Sequence, residues 1–180
     1  HSLINRKETY LAIFTLISVA LLGMVDDLFN IKGWGRSKGL NIKPKFFWLV
    51  MFALAGALWF HFKLGYDQIH IPGVGDFMIG AWYIPLFMFI IAGSANAVNI
   101  TDGLDGLSGG LIVIAFGAYA GIAYAHGLFI LAAFCAVIAG SSLAFLWFNI
   151  APARFYMGDT GSISLGATLG VIAMLTNTVL

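Results

Sequence analysis

The sequence predicts an all-α, polytopic membrane protein of about six transmembrane helices, with a small extracytoplasmic β-hairpin. Three observations predict it. The chain is 61% hydrophobic and 9% charged, where soluble domains average roughly 25% charged. Its apolar residues fall into six runs of about the ~20 residues that a spanning helix needs. The carboxylates and amides that remain are gathered in the short breaks between those runs.

The first run, Thr9–Val25, ends at the acidic pair Asp26-Asp27. A basic, glycine-rich stretch, Gly33–Lys45, leads into the second run, Pro44–Phe62. Pro44 suits the first turn of a helix, and Phe46, Phe47 and Trp48 suit a membrane interface. In the connection Lys63–Gly80, Gln68-Ile69-His70-Ile71 alternates and Pro72-Gly73-Val74-Gly75-Asp76 turns, which predicts the hairpin. The third run is Ala81–Val98. The fourth, Leu107–Ala125, carries Gly109, Gly110, Gly117 and Gly121, a pattern that predicts close helix–helix approach in lipid. The fifth, Leu128–Phe148, closes on Trp147 and Phe148, and the sixth is Ser162–Leu180. The whole is expected to be one transmembrane domain, residues 1–180.

Alternating these runs across a bilayer puts Asp26, Asp27, Asp102, Asp105 and Asp159 on one face. That face also holds Lys32, Arg36, Lys38, Lys43, Lys45 and Arg154, against Arg6, Lys7 and Lys63 on the other, so the aspartate face is expected to be cytoplasmic. Carboxylates gathered at a membrane boundary are costly, and the usual reason for them is a cation and a charged substrate. All four histidines fall on the opposite face, which argues against zinc and against a Ser–His–Asp arrangement. Oxygen donors without Cys or His suit a hard cation such as Mg²⁺. A net charge of +1 argues neither for nor against a nucleic-acid partner; no basic, aromatic-interleaved tract appears, and no such partner is expected. The single cysteine, Cys135, lies in an apolar run and reads as a small buried hydrophobe.

Each polar cluster has two readings. Asp26-Asp27 is either a solvated helix end, set against the helix dipole, or part of a metal or phosphate site. Lys43 and Lys45 either follow the positive-inside rule or meet substrate phosphates. In Asn96-Ala-Val-Asn99-Ile-Thr-Asp102-Gly-Leu-Asp105-Gly-Leu, Asp105 has a second reading as the N-cap of the fourth helix. Capping does not account for two Asn and two Asp within ten residues at a membrane boundary. Asp159 could cap the sixth helix, Asn149 could cap the end of the fifth, and Tyr156 could be an interfacial aromatic. Clustered carboxylates, lysines and Mg²⁺ together fit phosphoryl transfer, where catalysis is mostly positioning and charge neutralisation.

These motifs resemble those of the polyprenyl-phosphate N-acetylhexosamine-1-phosphate transferases. The matching segments are Val25-Asp26-Asp27, Gly39-Leu40 with Lys43 and Lys45, Asn96 through Leu107, and Phe148-Asn149…Pro152…Tyr156-Met157-Gly158-Asp159-Thr160-Gly161-Ser162. They occur in family order over nearly the whole chain. The Gly-Leu…Lys loop and Pro152 favour the branch that transfers phospho-N-acetylmuramoyl-pentapeptide over the branch that transfers N-acetylglucosamine-1-phosphate.

The resemblance implies that undecaprenyl phosphate, a lipid, attacks the sugar-linked phosphate of UDP-MurNAc-pentapeptide, a UDP-sugar nucleotide. UMP leaves and lipid I forms, with Mg²⁺ required, in the bacterial inner membrane among membrane lipids. It implies that Asp159 holds the metal, with Asp102 and Asp27 as further contacts. Asp26 and Asp27 would position or deprotonate the lipid phosphate, and Lys45 and Lys43 would meet phosphates. Asn96, Asn99, Asp102, Gly103, Leu104, Asp105, Asn149 and Tyr156 would serve the nucleotide substrate. A homodimer is an allowed assembly.

The sequence departs from the family at Asn41-Ile42-Lys43, where Ser-Ala-Arg is usual, and at Tyr156, where Phe is usual. The chain opens on His1, no cleavage site follows its first apolar run, and the family has about ten spans to the six here. It also lacks the family's upstream lysine and downstream His-rich motif. It is therefore expected to be the central part of a longer protein and to be inactive alone. The alternatives are a UDP-N-acetylglucosamine:undecaprenyl-phosphate transferase and, from another class, a cation- or proton-coupled transporter. A transporter would call for ionisable groups at mid-membrane, which the six runs almost entirely lack.

Overall fold

The structure, a computed structural model, describes residues 2–32, 42–64, 68–71 and 75–178. The described helices are α1 (Ser2–Lys32), α2 (Ile42–Trp59), α3 (Tyr83–Thr101), α4 (Leu107–Ala125), α5 (Phe129–Asn149) and α6 (Gly158–Leu175). A π-helical turn, Phe60–Leu64, extends α2, and a short 3₁₀ turn, Gly80–Trp82, leads into α3. Strands β1 (Gln68–Ile71) and β2 (Gly75–Met78) pair antiparallel, Gln68 opposite Met78 and Ile71 opposite Gly75. The expected hairpin is therefore present, and its turn residues 72–74 lie outside the described residues.

Five described segments are long and apolar enough to cross a membrane: Thr9–Phe29, Gly80–Thr101, Leu107–Ala125, Phe129–Asn149 and Gly158–Leu175. The sixth expected span is shorter. Among the described residues the apolar stretch of α2 and its π-helical extension is Phe47–Phe62. Many large apolar side chains of the spans face outward, among them Phe89, Ile114 and Val137, as a surface bathed in hydrocarbon requires.

α6 is the interior helix. Two thirds of its span is buried, against 17–28% for the other four. It packs along α1 on one side and α3 on another, while α4 pairs with α5 and α2 with α3. With no water to drive helices together, close packing of small residues has to do it. A Cβ on Gly166 would lie 2.6 Å from the Ser94 carbonyl oxygen and 2.7 Å from Ala95 Cα. One on Gly23 of α1 would lie 2.5 Å from the Asp159 carbonyl oxygen and 2.6 Å from Thr160 Cα. The main chains thus touch at both seams of α6.

This corrects the expectation for α4. Of its four glycines only Gly109 meets neighbours, the Leu146 and Phe145 side chains; around Gly110, Gly117 and Gly121 a Cβ would find nothing within 4 Å among the described residues. The hydroxyls that α6 buries return their protons to its own carbonyls. Ser164 bonds to Thr160 O at 2.6 Å and Thr168 to Ser164 O at 2.7 Å, so neither is stranded in the apolar interior.

Candidate active site at the aspartate-lined helix ends

The first turn of a helix presents N–H groups that have no partner within the helix, together with the positive end of its dipole. The residue before α6, Met157, offers no side-chain cap. The partner comes instead from α1. The Asp27 carboxylate accepts the Thr160 N–H at 3.0 Å and the Thr160 hydroxyl at 2.6 Å through Oδ2, and the Asp159 N–H at 3.3 Å through Oδ1. Gly158 stands beside this contact at φ +62°, and a Cβ there would sit 2.9 Å from Asp27 Oδ2. Both the left-handed backbone and the close approach call for glycine.

α1 does not stop at its aspartates. It continues more than a turn past them to Lys32, so Asp26 and Asp27 lie within the helix and not at the C-terminus expected from the end of the apolar run. Asp26 is buried at 7% exposure.

α3 supplies the next group. Asn99 Nδ2 donates to Asp159 Oδ1 at 2.6 Å and to Ser162 Oγ at 2.9 Å, and Ser162 in turn donates to the Gly158 carbonyl at 2.8 Å. Asp102, which follows the last residue of α3, accepts the Gly158 N–H. Burial and then the neighbouring Asp159 charge raise its affinity for a proton above the carboxylate norm, and the Gly158 bond opposes this.

A second knot ties the turn before α4 to the α5–α6 connection. Asn149, 1% exposed, accepts the Gly106 N–H at 3.0 Å and donates to the Phe155 carbonyl at 3.1 Å. Asp105 accepts the Tyr156 hydroxyl at 2.5 Å and the Ala153 N–H at 3.0 Å, and these two bonds hold its carboxyl below the usual range. The bond to Asp105 and the Asp105 charge push the Tyr156 phenol up. The capping readings therefore fail. Gly106, in the left-handed region, holds the N-cap position of α4, Asp159 lies inside the first turn of α6, and Asn149 bridges two other segments.

Asn96, Gly103 and Leu104 are exposed near the same helix ends. The loop 33–41 lies outside the described residues; Lys43 and Lys45 fall in the first turn of α2, and their side chains are likewise outside what is described. Thr160 and Ser162 join the site although sequence reasoning gave them no role. The signal available was their place in the Met157–Ser162 motif, directly around Asp159.

The donor set is entirely oxygen at its acidic centre, with Asp102 and Asp159 close enough to perturb one another. Among the described residues no three His, Cys, Asp or Glu side chains form a metal cage. Two carboxylates fit Mg²⁺, which is held by one or two of them while waters and substrate phosphates complete its shell.

The model of glycosyl transferase family 4 matches residues 9–177, nearly the entire chain. The chain belongs to this family. As a family member it is also similar to curated proteins named phospho-N-acetylmuramoyl-pentapeptide-transferase. One from Geobacillus sp. (strain WCH70) is 41% identical over 174 residues, covering 94% of this chain and 52% of the relative. One from Chloroflexus aurantiacus is 40% identical over 182 residues, covering 96% and 49%. One from Bacillus pumilus (strain SAFR-032) is 40% identical over 170 residues, covering 94% and 52%. The chain spans about half the length of the curated relatives it matches. The resemblance drawn from Asp26-Asp27, Asn96–Leu107 and Tyr156–Ser162 agrees with these findings, so in this glycosyl transferase family 4 chain the motifs and the helix-end cluster coincide.

Proposed function

We propose that the chain forms the catalytic part of a Mg²⁺-dependent transferase. It moves phospho-N-acetylmuramoyl-pentapeptide from its UDP-linked donor to undecaprenyl phosphate, at the cytoplasmic face of the bacterial inner membrane. The observation that carries this reading is the meeting of α1, α3 and α6 at Asp159, where Asn99, Asp102 and Asp27 surround the α6 N-terminus. The relatives' names support the choice of donor and acceptor.

An oxygen of the lipid phosphate attacks the sugar-linked phosphorus of the donor, the bond from that phosphorus to the UMP oxygen breaks, and UMP leaves with the electron pair. Mg²⁺, when bound, supplies charge neutralisation on the diphosphate. Asp159 and Asp102 are the residues that would hold it. Asn99 fixes the Asp159 carboxylate by its 2.6 Å bond. Asp26, on the final turns of α1, is assigned to the lipid phosphate, and Lys43 and Lys45 to phosphate oxygens. The knot of Asp105, Tyr156 and Asn149, with Asn96, Gly103 and Leu104 nearby, is assigned to the nucleotide side.

The test is UMP release by the natural full-length protein. With UDP-MurNAc-pentapeptide, undecaprenyl phosphate and Mg²⁺ all present, UMP is expected; omission of either lipid or metal stops it, and UDP-N-acetylglucosamine does not substitute. No UMP release from the complete mixture overturns the proposal.

A further inference from the structure

We infer that Asp27 and Thr160 form a positioning clamp that sets Asp159, and that Asp27 therefore acts through α6 and not as the proton acceptor or a metal ligand. The inference deepens the proposed function and rests on it.

Three features of the fold carry it. First, the Asp27 oxygens are engaged. Oδ2 takes both the N–H and the hydroxyl of Thr160, at 3.0 and 2.6 Å, and Oδ1 takes the Asp159 N–H at 3.3 Å. A proton or cation taken at Oδ2 would cost bonds that satisfy an otherwise uncapped helix start, and Oδ1 is already directed at the Asp159 N–H. Secondly, the carboxylate has little freedom to turn away. Gly23 and Asp27 are four residues apart on α1 and share a face, and Gly23 lies flush against the main chain of Asp159 and Thr160. Gly158 closes the far side, with room for no Cβ against Asp27. Thirdly, Asp159 is gripped at both ends. Its N–H is held by Asp27 and its side chain by Asn99. Loss of the Thr160 hydroxyl frees the inner end of that arrangement without touching any group assigned to the metal. Groups that orient a metal ligand typically cost 10–100-fold in affinity or activity when removed.

The experiment uses the natural full-length protein with Thr160→Val, Thr160→Ser, Asp27→Asn and the Asp27→Asn/Thr160→Val double variant. Two readouts are taken: the Mg²⁺ concentration for half-maximal UMP release, and the unfolding temperature in detergent without Mg²⁺. Thr160→Val is expected to raise the Mg²⁺ requirement by about tenfold or more, and Thr160→Ser to restore it, since serine keeps the hydroxyl. Each of Thr160→Val and Asp27→Asn lowers the unfolding temperature, and the double variant falls no further than the worse single, as expected for two partners of one contact. A Thr160→Val protein with unchanged Mg²⁺ requirement, beside an inactive Asp27→Asn protein, overturns the inference. So do strictly additive shifts in unfolding temperature. If the unsubstituted protein releases no UMP, the proposed function fails instead, and the temperature cycle still decides whether the clamp exists.

Discussion

The Tyr156 hydroxyl donates to the Asp105 carboxylate at 2.5 Å, across 51 residues of chain. This bond, with the Ala153 N–H, latches the α5–α6 connection onto the turn before α4. Asp105 titrates below its ordinary 3.8 because both bonds favour the ionised form. Its folded value is depressed, so its contribution is present above the ordinary value and is lost as pH falls through the depressed one. Carboxyl-carbon NMR is expected to show Asp105 titrating below 3.8, with Tyr156→Phe returning it toward that value. An Asp105 that titrates normally in the unsubstituted protein would count against the latch.

Asn149 is the buried counterpart of that latch. Replacing it with leucine removes the bonds to both Gly106 N–H and Phe155 C=O and strands two main-chain groups. At up to about 1–3 kcal/mol for each of these part-buried groups left unsatisfied, Asn149→Leu should cost no more than roughly 2–6 kcal/mol. Denaturant unfolding in detergent measures this. A loss smaller than about 1 kcal/mol would mean that the bridge does not order the site.

The glycines separate cleanly. Gly166→Ala places a methyl group 2.6 Å from the Ser94 carbonyl and forces α3 away from α6, carrying Asn99 from Asp159. Gly117→Ala meets nothing within 4 Å and gains up to about 1 kcal/mol of helix propensity. A lowered unfolding temperature for the first and an unchanged or raised one for the second are expected.

Asp102 has the opposite sign to Asp105. Burial and the Asp159 charge raise its folded value, so the stability linked to its proton is present below 3.8 and is lost as pH rises through the raised value. In metal-free buffer, Asp102→Asn is expected to raise the unfolding temperature near neutral pH and to have no such effect in acid. Addition of Mg²⁺ should then stabilise the unsubstituted protein more than the variant. Equal stabilisation of both would remove Asp102 from the metal site.

Hydropathy made the spans legible, because a helix in hydrocarbon must be apolar over a set length. Counting those spans also put Asp102, Asp105 and Asp159 on the face of Asp26 and Asp27, where Asp27 bonds to the main chain of Asp159 and Tyr156 bonds to Asp105. The start of α2 lies two residues before Pro44, at Ile42, because helical backbone runs on through Lys43 and Lys45 where hydropathy does not mark it. The end of α1 was under-read. Loss of hydropathy after Val25 marks where the apolar run stops, and says nothing of where the backbone stops being helical.

Composition and span order alone determined that this is a helical membrane chain with five of its eight carboxylates, Asp26, Asp27, Asp102, Asp105 and Asp159, brought to one boundary. Tertiary structure decided what each carboxylate does there: Asp27 binds α6, Asp105 binds Tyr156, and Asp102 stands against Asp159. It also decided that the tight seams run through Gly23 and Gly166 and not through the glycines of α4. The reason is that hydrophobicity is a property of a segment and can be summed along it. A hydrogen bond or a main-chain contact depends on which residues far apart in the chain come within about 3 Å of each other.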